Sequence, residues 1–136
     1  MITVTLYAAI ATLMFIHLSL RVIFAREKEQ VLLGTGGNQR VERAMRNQAN
    51  FAEYVPHTLL LLSMAAINGL PTFLIHGFGS AMIVSRIFHF IGFSRNNSPF
   101  ALRVIGTVLT SSLLLILAGV LLAQVNGIFP ILTQNS

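Results

Sequence analysis

Apolar residues dominate this chain in three long charge-free runs, residues 1–20, 54–85 and 104–136, separated by short segments that hold every charged residue. Each run approaches or exceeds the roughly 20 residues that a helix needs to cross a bilayer. In lipid the backbone must bond to itself, and short alternating segments that would mark a barrel are absent from the pattern, so the runs predict helices. The breaks place four of them, at about residues 2–25, 41–68, 72–93 and 100–125. The stretch AINGLP stops the second helix with Asn68, Gly69 and Pro71, and Pro99, at the end of SRNNSP, can start the fourth. The third break, in NGIFP, follows Val125. Residues 26–40, with the motif GTGG, predict a mobile loop. Short links make neighbouring helices antiparallel, giving an all-α, integral membrane four-helix bundle in one domain over residues 1–136, without internal repeats.

Composition sharpens this reading. Hydrophobic residues make up 54% and charged ones only 10%, against roughly a quarter in soluble domains. The opening run lacks the basic leading region of a cleavable signal and is expected to stay as the first membrane helix. All nine basic residues (Arg21, Arg26, Lys28, Arg40, Arg43, Arg46, Arg86, Arg95 and Arg103) flank the first and third connections. The positive-inside rule puts those two connections in the cytoplasm and both termini on the other side. The net charge of +5 is thus a topology signal and gives no argument for nucleic acid. Zero cysteines exclude disulfides, thiolate metal sites and a protein thiol nucleophile, so any sulfur chemistry must come with a ligand.

Some polar residues exceed what anchoring requires. Arg46, Asn50 and Glu53, spaced four and three apart, share one face of the second helix, with Arg43 a turn earlier. A glutamate two turns inside a membrane helix is costly unless a cation pairs with it, so Glu53 and Arg46 read first as parts of a functional site, with a structural ion pair between them as the alternative. The third helix puts Arg86, His89 and Phe93 on one face, and the fourth puts Arg103, Gly106 and Thr110 on one face. All of these lie toward the same end of the bundle, so they are expected to meet in one cleft suited to a ligand with carboxylates and an ammonium group. Arg43, Arg95 and Lys28 read as interfacial anchors, and His17, His57 and His76 as satisfied or interfacial histidines. No histidine and carboxylate spacing suggests a metal. The glycines of the fourth helix read as close packing.

The run VERAMRNQANFAEYVPHTLLL closely resembles the signature of the MAPEG family, membrane-associated proteins in eicosanoid and glutathione metabolism: Arg46, Gln48, Asn50, Glu53, Tyr54 and Pro56 match it in type and spacing. SLRVIFAR at the end of the first helix, the Arg86 to His89 spacing, and Arg103 at the start of the fourth extend the resemblance along the chain, in the form of a bacterial-type member.

That resemblance implies a homotrimer in a bacterial inner membrane with glutathione as cosubstrate, bound between subunits near the cytoplasmic face. Arg46, Asn50, Glu53, His89, Phe93 and Arg103 would come from one subunit, and Arg26 and Gln48 from its neighbour. Glu53 would meet the glutathione amine and Arg103 would hold the thiol as thiolate. The implied activity is a glutathione-dependent transferase or peroxidase acting on a hydrophobic electrophile or lipid hydroperoxide, a detoxification chemistry. The alternative is a non-catalytic lipid-binding membrane protein on the same fold. Two positions depart from the family pattern. Phe93 stands where eukaryotic synthases carry tyrosine, and Glu27 stands where the members that make leukotrienes carry a second arginine.

Overall fold

A computed structural model describes residues 2–94 and 100–127, which form four α-helices: α1 (Ile2–Glu29), α2 (Gln39–Ile67), α3 (Thr72–Ser94) and α4 (Phe100–Val125). The expected bounds hold to within two residues except at the end of α1, which runs four residues further. AREKE contains no helix breaker, and Arg26 and Lys28 in the last turn complement the negative end of the helix dipole. The polar turn at residues 95–99, with Arg95 and the proposed helix start at Pro99, and residues 128–130 of the final break lie outside the described residues.

Two terminators set the connections. After α1 the chain reverses at Gln30, whose φ is 55°, and Val31 N–H bonds to Arg26 O at 3.0 Å. The return is fixed by Asn38, whose Oδ1 accepts from the backbone of Arg40 and Val41 at 2.8 and 3.2 Å and caps α2. Its Nδ2 donates to Glu29, which pairs with Arg40 at 3.6 Å, so the expected loop is short and tied at both ends. At the far end, Gly69 takes a φ of 88° and the N–H groups of Gly69 and Leu70 cap Ala66 and Ala65, a glycine-terminated helix end.

Side-chain pairs give the directions. Tyr7 on α1 meets His76 and Ser80 on α3, and Arg21 meets Phe90, so α1 and α3 run the same way. Asn68, which caps the end of α2, meets Gln124 near the end of α4, so those two helices finish at the same end, the end where α3 begins, and run opposite to α1 and α3. Helices α2 and α3 each pack on all three others, and α1 and α4 occupy opposite flanks. One apolar cluster (Leu62, Ala65, Ile75, Leu113 and Leu117 at its centre) fills the end near the α2–α3 turn, and a second, around Phe51, Val55 and Met82, joins α1, α2 and α3. Large apolar side chains such as Leu13, Phe73, Leu115 and Leu122 point outward, the arrangement expected where the solvent is lipid.

α1, α3 and α4 are long and apolar enough to cross a membrane. α2 falls short because its first half holds Arg40, Glu42, Arg43, Arg46 and Glu53, yet it runs alongside the other three. The chain is an all-α integral membrane protein.

Candidate functional site

The site begins with two glycines. A Cβ on Gly106 would lie 2.8 Å from both the backbone nitrogen and the Cβ of His89 and from the carbonyl oxygen of Ser85, and one on Gly92 would collide with Arg103. Without side chains there, α3 and α4 approach to backbone contact, the small-residue packing of membrane helices. Gly119, also on α4, faces nothing within 4 Å. Gly106→Ala is therefore expected to destabilise the bundle by about 1–3 kcal/mol, since backbone must move. Gly119→Ala is expected to cost nothing. Thermal unfolding midpoints in detergent check this, and equal midpoints for the two variants would refute the close-approach argument.

Across that contact lies Arg86, 2% exposed. Its Nη1 donates to Asn50 Oδ1 of α2 at 2.8 Å, and its Nη2 donates to Gly106 O of α4 at 3.1 Å and to Thr110 Oγ1. Thr110 Oγ1 also sits 3.0 Å from Ser85 Oγ and 2.8 Å from Gly106 O. One guanidinium thus ties three helices, with the Tyr54 ring 5.8 Å away. Among the described residues Arg86 forms no ion pair, and all its hydrogen-bond partners are neutral. Asn50 accepts through Oδ1, which leaves its Nδ2 as donor for a ligand.

One turn on, His89 is also buried and donates from Nδ1 to Asn47 Oδ1 at 3.2 Å. Its ring lies 4.9 Å from that of Phe93, and the Phe93 ring in turn lies 4.9 Å from the Arg103 guanidinium carbon, with Phe100 at 5.2 Å. Arg103 is held by aromatic faces, and its Nε is buried with no hydrogen-bond partner among the described residues. The row Asn50, Arg86, His89, Phe93, Arg103 brings two guanidinium groups together without a carboxylate, an arrangement that favours an anion.

Not all expected residues join this row. Arg46 bonds Glu42 at 3.3 Å on an exposed surface, so it does not pair with Glu53. The competing carboxylate at the i−4 position wins because it is one turn away. Glu53 is exposed and makes no ion pair among the described residues. Arg26, Gln48, Glu42 and Arg46 line a separate open cleft of about 450 Å³ between α1 and α2. The single cleft expected from the sequence is thus two places within one chain. Of the histidines, His76 meets Tyr7 at 3.0 Å, His57 meets Glu53 O at 2.8 Å, and His17 packs edge-on to Phe90. Sequence reasoning missed Asn47 and underrated Arg86. Asn47, Asn50 and Tyr54, three and four apart, form a polar stripe beside the one that was read, and that spacing was the available signal.

The signature on α2 has a wider counterpart: from residue 4 to residue 123, the chain matches the MAPEG family. The chain belongs to the MAPEG family. It is also similar to the inner membrane protein YecN of Escherichia coli strain K12, with 31% identity over 88 residues, covering 65% of this chain and 67% of the relative. YecN of Escherichia coli O6:H1 gives the same figures. The MAPEG match spans all four helices, so it covers both the Arg86 network and the outer cleft.

Proposed function

We propose that this MAPEG-family protein binds glutathione at the basic end of the bundle and holds its thiol as thiolate against Arg103, for attack on a hydrophobic electrophile or lipid hydroperoxide arriving from the bilayer. The family includes glutathione transferases. The observation that carries the reading is Arg103, whose guanidinium is fixed between aromatic rings with a buried Nε that has no acceptor among the described residues. A positioned cation stabilises the ionised form of a thiol whose ordinary pKa is near 8.5. The thiolate then adds to an electrophilic carbon, or attacks the outer oxygen of a hydroperoxide, breaking the O–O bond to release alkoxide, which is protonated to the alcohol, and leaving glutathione sulfenic acid, which a second glutathione converts to disulfide and water.

The outward residues support a homotrimer. Glu53 is exposed on a helix inside a lipid-facing bundle, where hydrocarbon does not solvate a carboxylate. A neighbouring subunit covers it and brings its Arg26 and Gln48 to the ligand. Glu53, Arg46 and Asn50 then hold the tripeptide from one chain, with His89 and Phe93 behind it. Similarity to YecN supports an inner-membrane location, and the basic residues favour cytoplasmic first and third connections.

Titration of the detergent-solubilised protein with glutathione, read by thiolate absorbance in the near ultraviolet, tests the proposal. A saturable thiolate signal is expected, and absence of glutathione binding would overturn it. Binding without thiolate and without turnover of a model electrophile would leave the lipid-binding alternative. Glu53→Gln is expected to weaken glutathione affinity about tenfold, the loss of one charge-assisted bond to the amine. Unchanged affinity with assembly intact would show that Glu53 does not touch the ligand.

A further inference from the structure

The connection between α1 and α2 carries three apolar residues in a row, Val31, Leu32 and Leu33, at the end of the bundle where the charges gather. The fold uses the first of them. A Cβ on Gly36 would lie 3.0 Å from the Val31 side chain, so the connection folds back onto Val31. Leu32 and Leu33 are left outside, 93% and 88% exposed. Single exposed leucines need no explanation, but an adjacent pair on a surface connection makes a patch that asks for a partner.

The backbone behind the pair is fixed. Arg26 Nη1 donates to Leu32 O at 3.1 Å, Val31 N–H donates to Arg26 O at 3.0 Å, and Asn38 ties the other end to Glu29. Both leucines are thus presented outward by a braced loop.

Their height decides what can reach them. The outward apolar side chains of α1 continue past Leu20 to Ile23 and Phe24, both more than half exposed. Glu29 ends the helix five residues later, about 8 Å further on at 1.5 Å per residue, and the chain then reverses at Gln30. Headgroups add roughly 5–8 Å to each side of the hydrocarbon, so the reversal takes place at headgroup depth. Charge agrees with that surrounding. Between residues 26 and 46 five basic residues stand against three acidic ones, and two of the acids, Glu29 and Glu42, already pair with Arg40 and Arg46. A basic excess beside an apolar pair suits a membrane surface, best one with anionic headgroups.

We propose that the α1–α2 connection is an interfacial anchor: Leu32 and Leu33 enter the boundary between headgroups and acyl chains of the leaflet at the basic end and hold the connection down on the bilayer. This rests on the membrane-spanning bundle and is independent of glutathione. Thr35, on the same connection, lines the outer cleft with Arg26 and Gln48, so the anchor sets the rim of that cleft at the lipid surface.

The chain contains no tryptophan, so Leu33→Trp in the whole chain gives a single fluorescent reporter. The variant is placed in vesicles of phosphatidylcholine and phosphatidylglycerol whose acyl chains carry bromine either near the headgroup or near the methyl end. Blue-shifted emission is expected, with the shallow bromines quenching about twofold more than the deep ones, as for a segment seated in the interface. Adding Leu32→Ser is expected to cut the shallow quenching by about half, since one of the two inserted side chains is lost. Unchanged quenching would show that the tryptophan enters by itself and that the leucine pair is no anchor. Emission typical of tryptophan in water, quenched by acrylamide and by neither lipid, would put the connection in solvent and overturn the proposal. Blue-shifted emission that neither bromine quenches would overturn it in favour of a protein cover, such as a second copy of the chain. Leu32→Trp with Leu33→Ser repeats the measurement from the neighbouring position.

Discussion

Arg103→Ala is expected to leave glutathione bound and un-ionised. The hydrogen bonds of Asn50, Arg86 and His89 do not involve Arg103, whose guanidinium lies over the rings of Phe93 and Phe100. A nearby opposite charge lowers a pKa by about 1–3 units. Without it, a thiol near 8.5 is only about 3% ionised at pH 7, so the thiolate absorbance should almost vanish. Turnover should fall about a hundredfold to a thousandfold, the usual loss when one preorganised electrostatic contact to the reacting atom is removed. Raising the pH toward 9 should restore part of the rate, because hydroxide then does what the guanidinium did. Arg103→Lys keeps a charge but loses the plane that stacks on both rings, and should recover only a fraction. An alanine variant with full thiolate signal would place the activating cation elsewhere, with Arg86 the first candidate.

The second large effect concerns Arg86 itself. Its gross contribution is four hydrogen bonds from a charged group, about 1.5–3 kcal/mol for each good one, with the bond from Nε to Ser85 Oγ long at 3.5 Å. Against that stands the cost of burying a guanidinium without a carboxylate, several kcal/mol. The two nearly cancel, so Arg86→Leu is expected to shift thermal stability only modestly. Its effect on the site should be far larger. Asn50 loses the donor that fixes its amide, and Thr110 and Gly106 lose their tie to α2. Glutathione affinity should drop about a hundredfold, two such contacts' worth, measured by the same titration, with the unfolding midpoint as the control. A variant that fails to assemble while binding is intact in the remaining folded fraction would make Arg86 a purely structural residue.

How much of this the sequence disclosed depends on how local each feature is. The ends of α3 and α4, the Asn68, Gly69 and Pro71 stop, and the shared face of Arg103, Gly106 and Thr110 are set by residues within a few positions of each other, and all were readable. α1 overran its expected end because Arg26 to Glu29 are good helix formers beyond the apolar run, and charge was read as a boundary. Arg46 pairs with Glu42, four residues back, so the structural ion pair with Glu53 that the sequence left open as an alternative does not form within one chain. Arg86 is different in kind. Its partners lie 36, 20 and 24 positions away, and nothing short of the packed bundle brings Asn50, Gly106 and Thr110 to one guanidinium. The resemblance pointed to Asn50 as a ligand contact and marked Arg86 only through its spacing to His89, without assigning it the role of holding Asn50.

The bundle is fastened unequally at its two ends. Away from the basic end, Tyr7 is buried against His76 and Ser80, and Gln124 bonds the carbonyls of Ala65 and Asn68, so neutral contacts pin α1 to α3 and α2 to α4. At the basic end the helices are tied through Arg86 to Asn50, Gly106 and Thr110 and through His89 to Asn47, beside clefts that open outward. Opening should therefore start at the charged end and run toward Tyr7, as the teeth of a zip part from the slider. In hydrogen exchange the amides around Asn50 and His89 should exchange ahead of those around Leu62 and Leu117. A ligand that occupies the charged end braces the part that lets go first, so its stabilisation should appear as slowed exchange there long before the melting temperature moves.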